Sequence, residues 1–130
     1  MQDTSDVRKK EILKNMNSHL NGITVEDIFE ARQNKIRFRV YETNRFMHSD
    51  IESLELSVRS NNCLHRAGYR NVGDIVNKIS CGEDLRVIRN CGTKSIDEIM
   101  LGLFLYNYEC LSPEMQKKSM TELVELNGIR

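Results

Sequence analysis

The chain has 130 residues, 39% of them hydrophobic, which suits one compact domain with appended elements and excludes two large ones. Lys plus Arg and Asp plus Glu number 19 each, so there is no chain-wide basic field, and any nucleic-acid binding has to come from a local arrangement of donors. Cys63, Cys81, Cys91 and Cys110 lack zinc-ligand spacing, and neither a leader nor an apolar run approaching the ~20 residues of a membrane span is present, which predicts reduced thiols in a cytoplasmic protein without metal or cofactor.

A first helix starts at Ser5 or Asp6, carries Ile12, Leu13, Met16 and Leu20 as one apolar stripe and ends at Asn21-Gly22, with Arg8, Lys9 and Lys10 toward water. A second starts at Thr24-Val25-Glu26-Asp27, buries Ile28 and Phe29 and runs to Asn34. Then Ile36, Phe38 and Val40 alternate with Arg37, Arg39 and Tyr41, a period of two that predicts a short strand. Its basic row of Lys35, Arg37 and Arg39 reads first as a solvated face and second as a track along a phosphate backbone. The strand needs a partner, either residues 44–47 returning against it or the edge of a second copy in a homodimer.

His48-Ser49-Asp50 reads as a linker. Ser57 caps a helix that turns Leu64 and Ala67 inward and stops at Gly68, and Asn71 caps another with Val72, Ile75, Val76 and Ile79 on its inner face. After a break at Ser80-Cys81-Gly82, a short helix from Glu83 buries Leu85 and Ile88, and Asn90-Cys91-Gly92 makes a tight hairpin. The next helix places Ile96, Ile99, Met100, Leu103 and Phe104 on one face. Ser112 and Pro113 open a last helix with Met120, Leu123 and Val124 as its stripe and Asn127-Gly128 as its end. Packing on the core is its first reading, binding a partner its second. The fold class is mainly α, a compact bundle of short helices with N-terminal helices, a short strand and a C-terminal helix appended.

A helix opening exposes unpaired N–H groups and carries partial positive charge, and a preceding glycine lets a phosphate approach the backbone. Gly92-Thr93-Lys94-Ser95 adds a lysine and two hydroxyls at such an opening, the physical content of a helix-hairpin-helix phosphate clamp. It resembles the end of a P-loop, but the upstream glycine is missing, Gly82 lying ten residues away, and nucleotide binding is set aside. At the other opening Arg59, Asn62 and Cys63 fall at i, i+3 and i+4. Such an arginine suits a narrow minor groove, where the negative potential is enhanced; a solvated helix face is the equal alternative. Glu52 with Glu55, and Asp97 with Glu98, read as surface acids of first turns, and no nucleophile–base constellation has supporting context, so no enzyme is expected.

Three segments in order, Leu56-Ser57-Val58-Arg59-Ser60-Asn61-Asn62-Cys63-Leu64, Val72-Gly73-Asp74-Ile75-Val76 and Ile88-Arg89-Asn90-Cys91-Gly92-Thr93-Lys94-Ser95-Ile96-Asp97-Glu98-Ile99, resemble the C-terminal domain of the bacterial RNA polymerase alpha subunit, over residues 50–112. The resemblance implies a helix-hairpin-helix (SAM-like) bundle that binds A/T-rich double-stranded DNA. It implies Arg59 as the minor-groove probe, Asn62 and Cys63 as its neighbours at the DNA, and Gly92, Lys94 and Ser95 as the phosphate clamp. It also implies Glu98 beside the DNA and Glu55 at a contact with sigma factor. The expected organisation is 1–49 as an appended segment, 50–112 as the DNA-binding domain and 113–130 as a helix packing on it. The expected setting is bacterial transcription at the nucleoid, with RNA polymerase, a sigma factor or a regulator as protein partner; an interaction module that docks on these without binding DNA is the alternative.

The chain departs from the family's pattern. Cys91 stands for a usual leucine, Thr93 for a basic residue and His65 for a lysine. The 80–82 stretch is longer by two residues in a region that activators touch, so that contact is not carried over. Residues 1–49 do not resemble the large dimerising domain of a complete alpha subunit, and Met1 reads as a natural start, so a free-standing relative is expected.

Overall fold

A computed structural model of the chain describes residues 4–33, 35–80 and 91–128. Among the described residues seven α-helices follow in order: α1 Thr4–Asn17, α2 Val25–Ala31, α3 Asn44–Met47, α4 Val58–Arg66, α5 Val72–Ser80, α6 Thr93–Glu109 and α7 Pro113–Leu126. A 3-10 turn at Ile51–Leu54 lies between α3 and α4, and no strand is present among these residues. The chain divides into two compact units, Met1–Tyr41 with Leu111–Arg130, and Glu42–Cys110.

In the first unit α1 packs against α2 and α7. Met16 of its apolar stripe is fully buried, with Ile12 and Leu13 half-buried. The helix ends at Asn17, before the expected Asn21-Gly22, and the side chain of Asn17 bonds to the start of α2. Its Oδ1 accepts the Val25 N–H at 2.7 Å and its Nδ2 donates to Glu26 at 3.0 Å. The start of α2 is a reciprocal box in which Thr24 Oγ1 accepts the Asp27 N–H at 3.1 Å and Asp27 Oδ2 accepts the Thr24 N–H at 3.0 Å. This helix buries Val25 and Ile28 and ends at Ala31; its expected end, Asn34, lies outside the described residues. Helix α7 opens with Ser112 accepting the Met115 N–H at 3.3 Å and Pro113 in the first turn, and buries Met120 and Leu123.

The expected strand is corrected. The alternation is present, with Lys35, Arg37 and Arg39 exposed and Ile36, Phe38 and Val40 half-buried. Residues 44–47, however, coil into α3 instead of returning, capped by Thr43, whose Oγ1 accepts the Phe46 N–H at 3.3 Å. One side chain replaces the neighbouring strand: Asn127 Oδ1 accepts the Arg37 N–H at 3.0 Å and its Nδ2 donates to the Arg37 carbonyl at 2.8 Å. A carboxamide holds the acceptor and donors that a paired strand residue would present, so a single residue is satisfied without a ladder. Tyr41 then donates to Glu122 at 2.7 Å, and Arg39, stacked 4.8 Å from the centroid of the Tyr41 ring, pairs with Glu122 at 3.5 Å.

The second unit starts before the expected linker, because Phe46 of α3 is fully buried and its ring lies 5.8 Å from that of Tyr106 on α6. The Tyr106 hydroxyl shares a hydrogen bond of 2.5 Å with Ser49 Oγ, and the Ser49 carbonyl accepts the Val72 N–H at 2.8 Å beside an antiparallel bridge of Asp50 with Asn71. At α5, Asn71 Oδ1 accepts the Asp74 N–H at 2.9 Å, and Val72, Ile75 and Val76 are buried as the spacing predicts. Helix α4 ends in a Schellman arrangement, Tyr69 N–H to the Leu64 carbonyl and Gly68 N–H to that of His65, with Gly68 at φ +90°. Ala67, expected inward, is the exposed C-cap of that helix. Helix α6 packs on α4 and on the 3-10 turn and buries Ile96, Ile99, Leu103 and Phe104. Every residue from Gly102 to Tyr108 is buried, so the second half of α6 is covered on all sides rather than on one face.

The break expected at 81–82, the helix expected from Glu83 with Leu85 and Ile88, and Asn90 lie outside the described residues. Among the described residues no helix is long and apolar enough to cross a membrane.

Two glycines of the second unit differ in what surrounds them. A Cβ at Gly73 would lie 2.6 Å from the Met47 carbonyl oxygen, whereas one at Gly92 would meet nothing within 4 Å. Gly73→Ala is therefore expected to separate α3 from α5 and lower stability by about 1–3 kcal/mol. Gly92→Ala should cost less, about 0.5 kcal/mol, the difference between glycine and alanine at a helix cap. Urea unfolding of the two variants checks this, and equal stabilities would overturn the close α3–α5 approach.

Candidate nucleic-acid interface

The openings of α4 and α6 lie together in the second unit. Ser57 caps α4, its Oγ accepting the Ser60 N–H at 3.3 Å. Glu98, in the second turn of α6, reaches back to the same cap, where its Oε1 accepts the Ser57 N–H at 3.0 Å and the Ser57 hydroxyl at 2.8 Å. A carboxylate from one helix thus sits on the positive end of the other.

The cap of α6 is Gly92, at φ −75° and ψ 170° and without a side-chain hydrogen bond. That conformation is open to any residue, so backbone freedom does not require the glycine. Among the described residues, a Cβ added there would meet nothing within 4 Å.

The two openings carry the same order of residues, a β-branched side chain, a cation and a serine: Val58-Arg59-Ser60 and Thr93-Lys94-Ser95. In each, the cation at the second helical position is exposed and the serine at the third is buried, Ser60 to 1% and Ser95 to 5% exposure. Val58 projects its apolar side chain into solvent, 77% exposed.

Arg59, Asn62, Gly92 and Lys94 are thus at the surface. Two residues implied by the resemblance are not. Cys63 is fully buried and does not share the exposed face of Arg59 and Asn62, and Ser95 is turned inward where α6 packs on α4. Both support the openings from beneath. Glu98 is engaged by Ser57, and half-buried Glu55 ends the 3-10 turn in a left-handed conformation, φ 52°, two residues before that serine.

Between the openings lies Cys91. Burial, then a hydrogen bond with the Cys63 thiol and that thiol's charge, push the Cys91 thiol up to about 11, while the guanidinium groups of Arg59 and Arg66 pull it down. Arg66 also donates from Nη2 to Cys63 Sγ at 3.8 Å. Sequence reasoning misses Arg66, although its position at i+7 from Arg59 is a signal for it. On the other side of α4, His65 Nε2 lies 3.0 Å from Glu52 Oε1. The Glu52 carboxyl is held below its usual range, first by its own backbone N–H and then by His65. Among the described residues no group of His, Cys, Asp or Glu is placed to hold a metal ion.

The arrangement defines a class: a bundle of short helices that sets two cation-bearing helix openings side by side, one of them unobstructed. Residues 40–103 match the family of the C-terminal domain of the bacterial RNA polymerase alpha subunit. It is 38% identical over 73 residues to the DNA-directed RNA polymerase subunit alpha of Symbiobacterium thermophilum, covering 56% of this sequence and 22% of that protein. With the same subunit of Oceanobacillus iheyensis it shares 40% identity over 92 residues, 69% of this sequence and 28% of that one. With that of Heliobacterium modesticaldum it shares 46% over 56 residues, 43% and 17%. The match thus spans under a third of the length of each of these relatives. No solved structure matches the protein.

Two outcomes follow from the geometry. Glu98→Ala leaves the exposed Ser57 donors to water and should lower stability by about 0.5–1.5 kcal/mol, with Glu98→Gln, which keeps an acceptor oxygen, losing less; equal losses in chemical denaturation would show that the hydrogen bonds do not matter. Because the Cys91 thiol titrates near 11, its protonated form dominates at neutral pH. Alkylation of Cys91 by iodoacetamide, followed by peptide mass spectrometry, should therefore be slow at pH 7 and keep accelerating beyond the ordinary thiol value of about 8.5. A rate that levels off near 8.5 would contradict this environment.

Proposed function

We propose that this protein acts in bacterial transcription as a non-enzymatic DNA-binding protein that associates with RNA polymerase. Arg59 enters the minor groove of A/T-rich DNA, and the opening of α6 at Gly92, with Lys94, holds the flanking phosphates. The observation that carries the reading is convergence. An exposed arginine at the start of α4 and an uncapped, unobstructed start of α6 flank one half-buried thiol and are tied together through Glu98. Narrow A/T-rich grooves concentrate negative potential, which favours an arginine there, while helix N–H groups and a lysine suit phosphate oxygens and carry no sequence information. Asn62, on the exposed face with Arg59, is placed to meet sugar or phosphate at the groove edge.

A second reading, docking on a polymerase subunit, sigma factor or regulator without DNA, is favoured by Val58, an apolar side chain in solvent next to Arg59. Glu55, at the turn leading into α4, is the acid placed for such a contact. Salt separates the two readings, because phosphate contacts weaken steeply with ionic strength and apolar docking does not.

Fluorescence anisotropy of an A-tract duplex and a G·C-rich duplex, titrated with wild type and Arg59→Ala at low and physiological salt, tests the proposal. Wild type is expected to prefer the A-tract with roughly micromolar affinity. Arg59→Ala is expected to lose the preference while keeping its helical circular dichroism. Absence of binding to either duplex at low salt would overturn the DNA reading.

A further inference from the structure

We infer that Arg66 is a further DNA contact of this protein, holding a backbone phosphate next to the opening of α6. The inference rests on the DNA reading above and adds to it a residue that strengthens affinity without reading sequence.

Arg66 follows Arg59 by seven residues, two helical turns, so the two leave α4 from one face about 10.5 Å apart along the axis. The Arg66 head nevertheless turns back along the helix, its Nη2 lying 3.8 Å from Cys63 Sγ, and the Cys63 thiol hydrogen-bonds that of Cys91, the residue immediately before Gly92. Arg66 therefore leans along α4 toward the unobstructed start of α6 instead of trailing into solvent from the helix end. The contact that orients it is weak: Nη2 meets Cys63 Sγ at 3.8 Å, and a thiol is a poor acceptor. The planar fork is held in place while most of its N–H donors remain for a stronger acceptor, and a phosphate oxygen is the strong acceptor that matches that fork.

The surrounding charges favour the same conclusion. Among the described residues no carboxylate pairs with Arg66, Arg59 or Lys94. Glu52 is taken by His65 and Glu98 by Ser57. A backbone phosphate lying across the start of α6 would meet the helix N–H groups and Lys94 on one side and Arg66 on the other.

The test uses the full-length protein and the same two duplexes over a range of salt, with wild type, Arg66→Gln, Arg66→Lys and Arg59→Ala, each checked for folding by circular dichroism. Arg66→Gln is expected to weaken both duplexes by one common factor, roughly three- to tenfold, and to make the dependence of log affinity on log salt shallower by about 0.9, one phosphate contact. Arg66→Lys keeps the charge and should keep most of the slope. Arg59→Ala instead changes the ratio between duplexes. Wild-type affinity and slope in a folded Arg66→Gln, with binding still sensitive to Arg59→Ala, would overturn the inference and leave the DNA reading intact. Loss of slope in Arg66→Lys equal to that in Arg66→Gln would also overturn it, because the charge would then not be the active feature. If wild type binds neither duplex, the DNA reading falls and this inference falls with it.

Discussion

The two hydrogen bonds from Ser57 to Glu98 are the constraint on which the candidate site depends. Bringing two helix openings together sets two partial positive charges against each other, and here each opening also carries an exposed cation in its first turn. Like charges so placed repel at short range. A carboxylate 41 residues away in sequence, fixed on the N–H and hydroxyl of the α4 cap, offsets that repulsion where it is greatest. It leaves Arg59 and Lys94 charged at the surface while removing the main reason for them to separate.

Beneath that tie, the second unit is assembled from helices too short to persist alone. Helices α4 and α5 have nine residues each and α3 has four, lengths at which an isolated helix is marginal in water. Close approach compensates. Gly73 brings α5 against the Met47 carbonyl, and Gly102 brings α6 to within 3.0 Å, measured from an added Cβ, of the Leu56 side chain just before the cap of α4. The second contact matters for the site, because it anchors the backbone next to Ser57 on the same helix that supplies Glu98. Packing and hydrogen bonding therefore fix the same junction twice, one residue apart.

What is legible in the sequence is whatever depends on neighbours along the backbone. Thr24, Ser57, Asn71 and Ser112 cap helices where capping chemistry places them, and the stripes of α5, α6 and α7 are buried where a period of 3.6 puts them except at Ile79, Met100 and Val124, which are half-buried. What is not legible depends on side chains that reach across the fold. The alternation of residues 35–41 is a strand pattern, but nothing nearby reveals that the amide of Asn127, 90 residues on, will replace the partner strand for Arg37. Asn17 likewise accepts from Val25 at the start of α2, a bond that spacing does not announce. At the site, spacing puts Arg59, Asn62 and Cys63 on one face, yet the margin of that face is set by how α6 lies against α4, and Cys63 falls on the buried side. The family motif points to Glu98 and Ser95 as site residues, and only the packing distinguishes a residue that supports the surface from one that forms it.

A neutral composition argues against a nucleic-acid partner, and the structure shows why net charge is a poor guide for a protein of this kind. Several carboxylates among the described residues are engaged with backbone amides rather than with cations. Asp27 accepts from Thr24, Asp74 from Arg70 and Asn71, and Glu98 from Ser57. A carboxylate fixed at a helix start is held against that helix's own positive end, so its field is partly cancelled beyond the immediate contact, before the ~8 Å screening of a physiological buffer acts. Among the described residues, the exposed cations at the α4 and α6 openings have no carboxylate held against them in this way. A phosphate approaching that edge therefore meets a positive surface although the sequence as a whole sums to zero. The same separation keeps long-range attraction weak, so binding depends on the few groups in direct contact, and the loss of any one of them should be measurable.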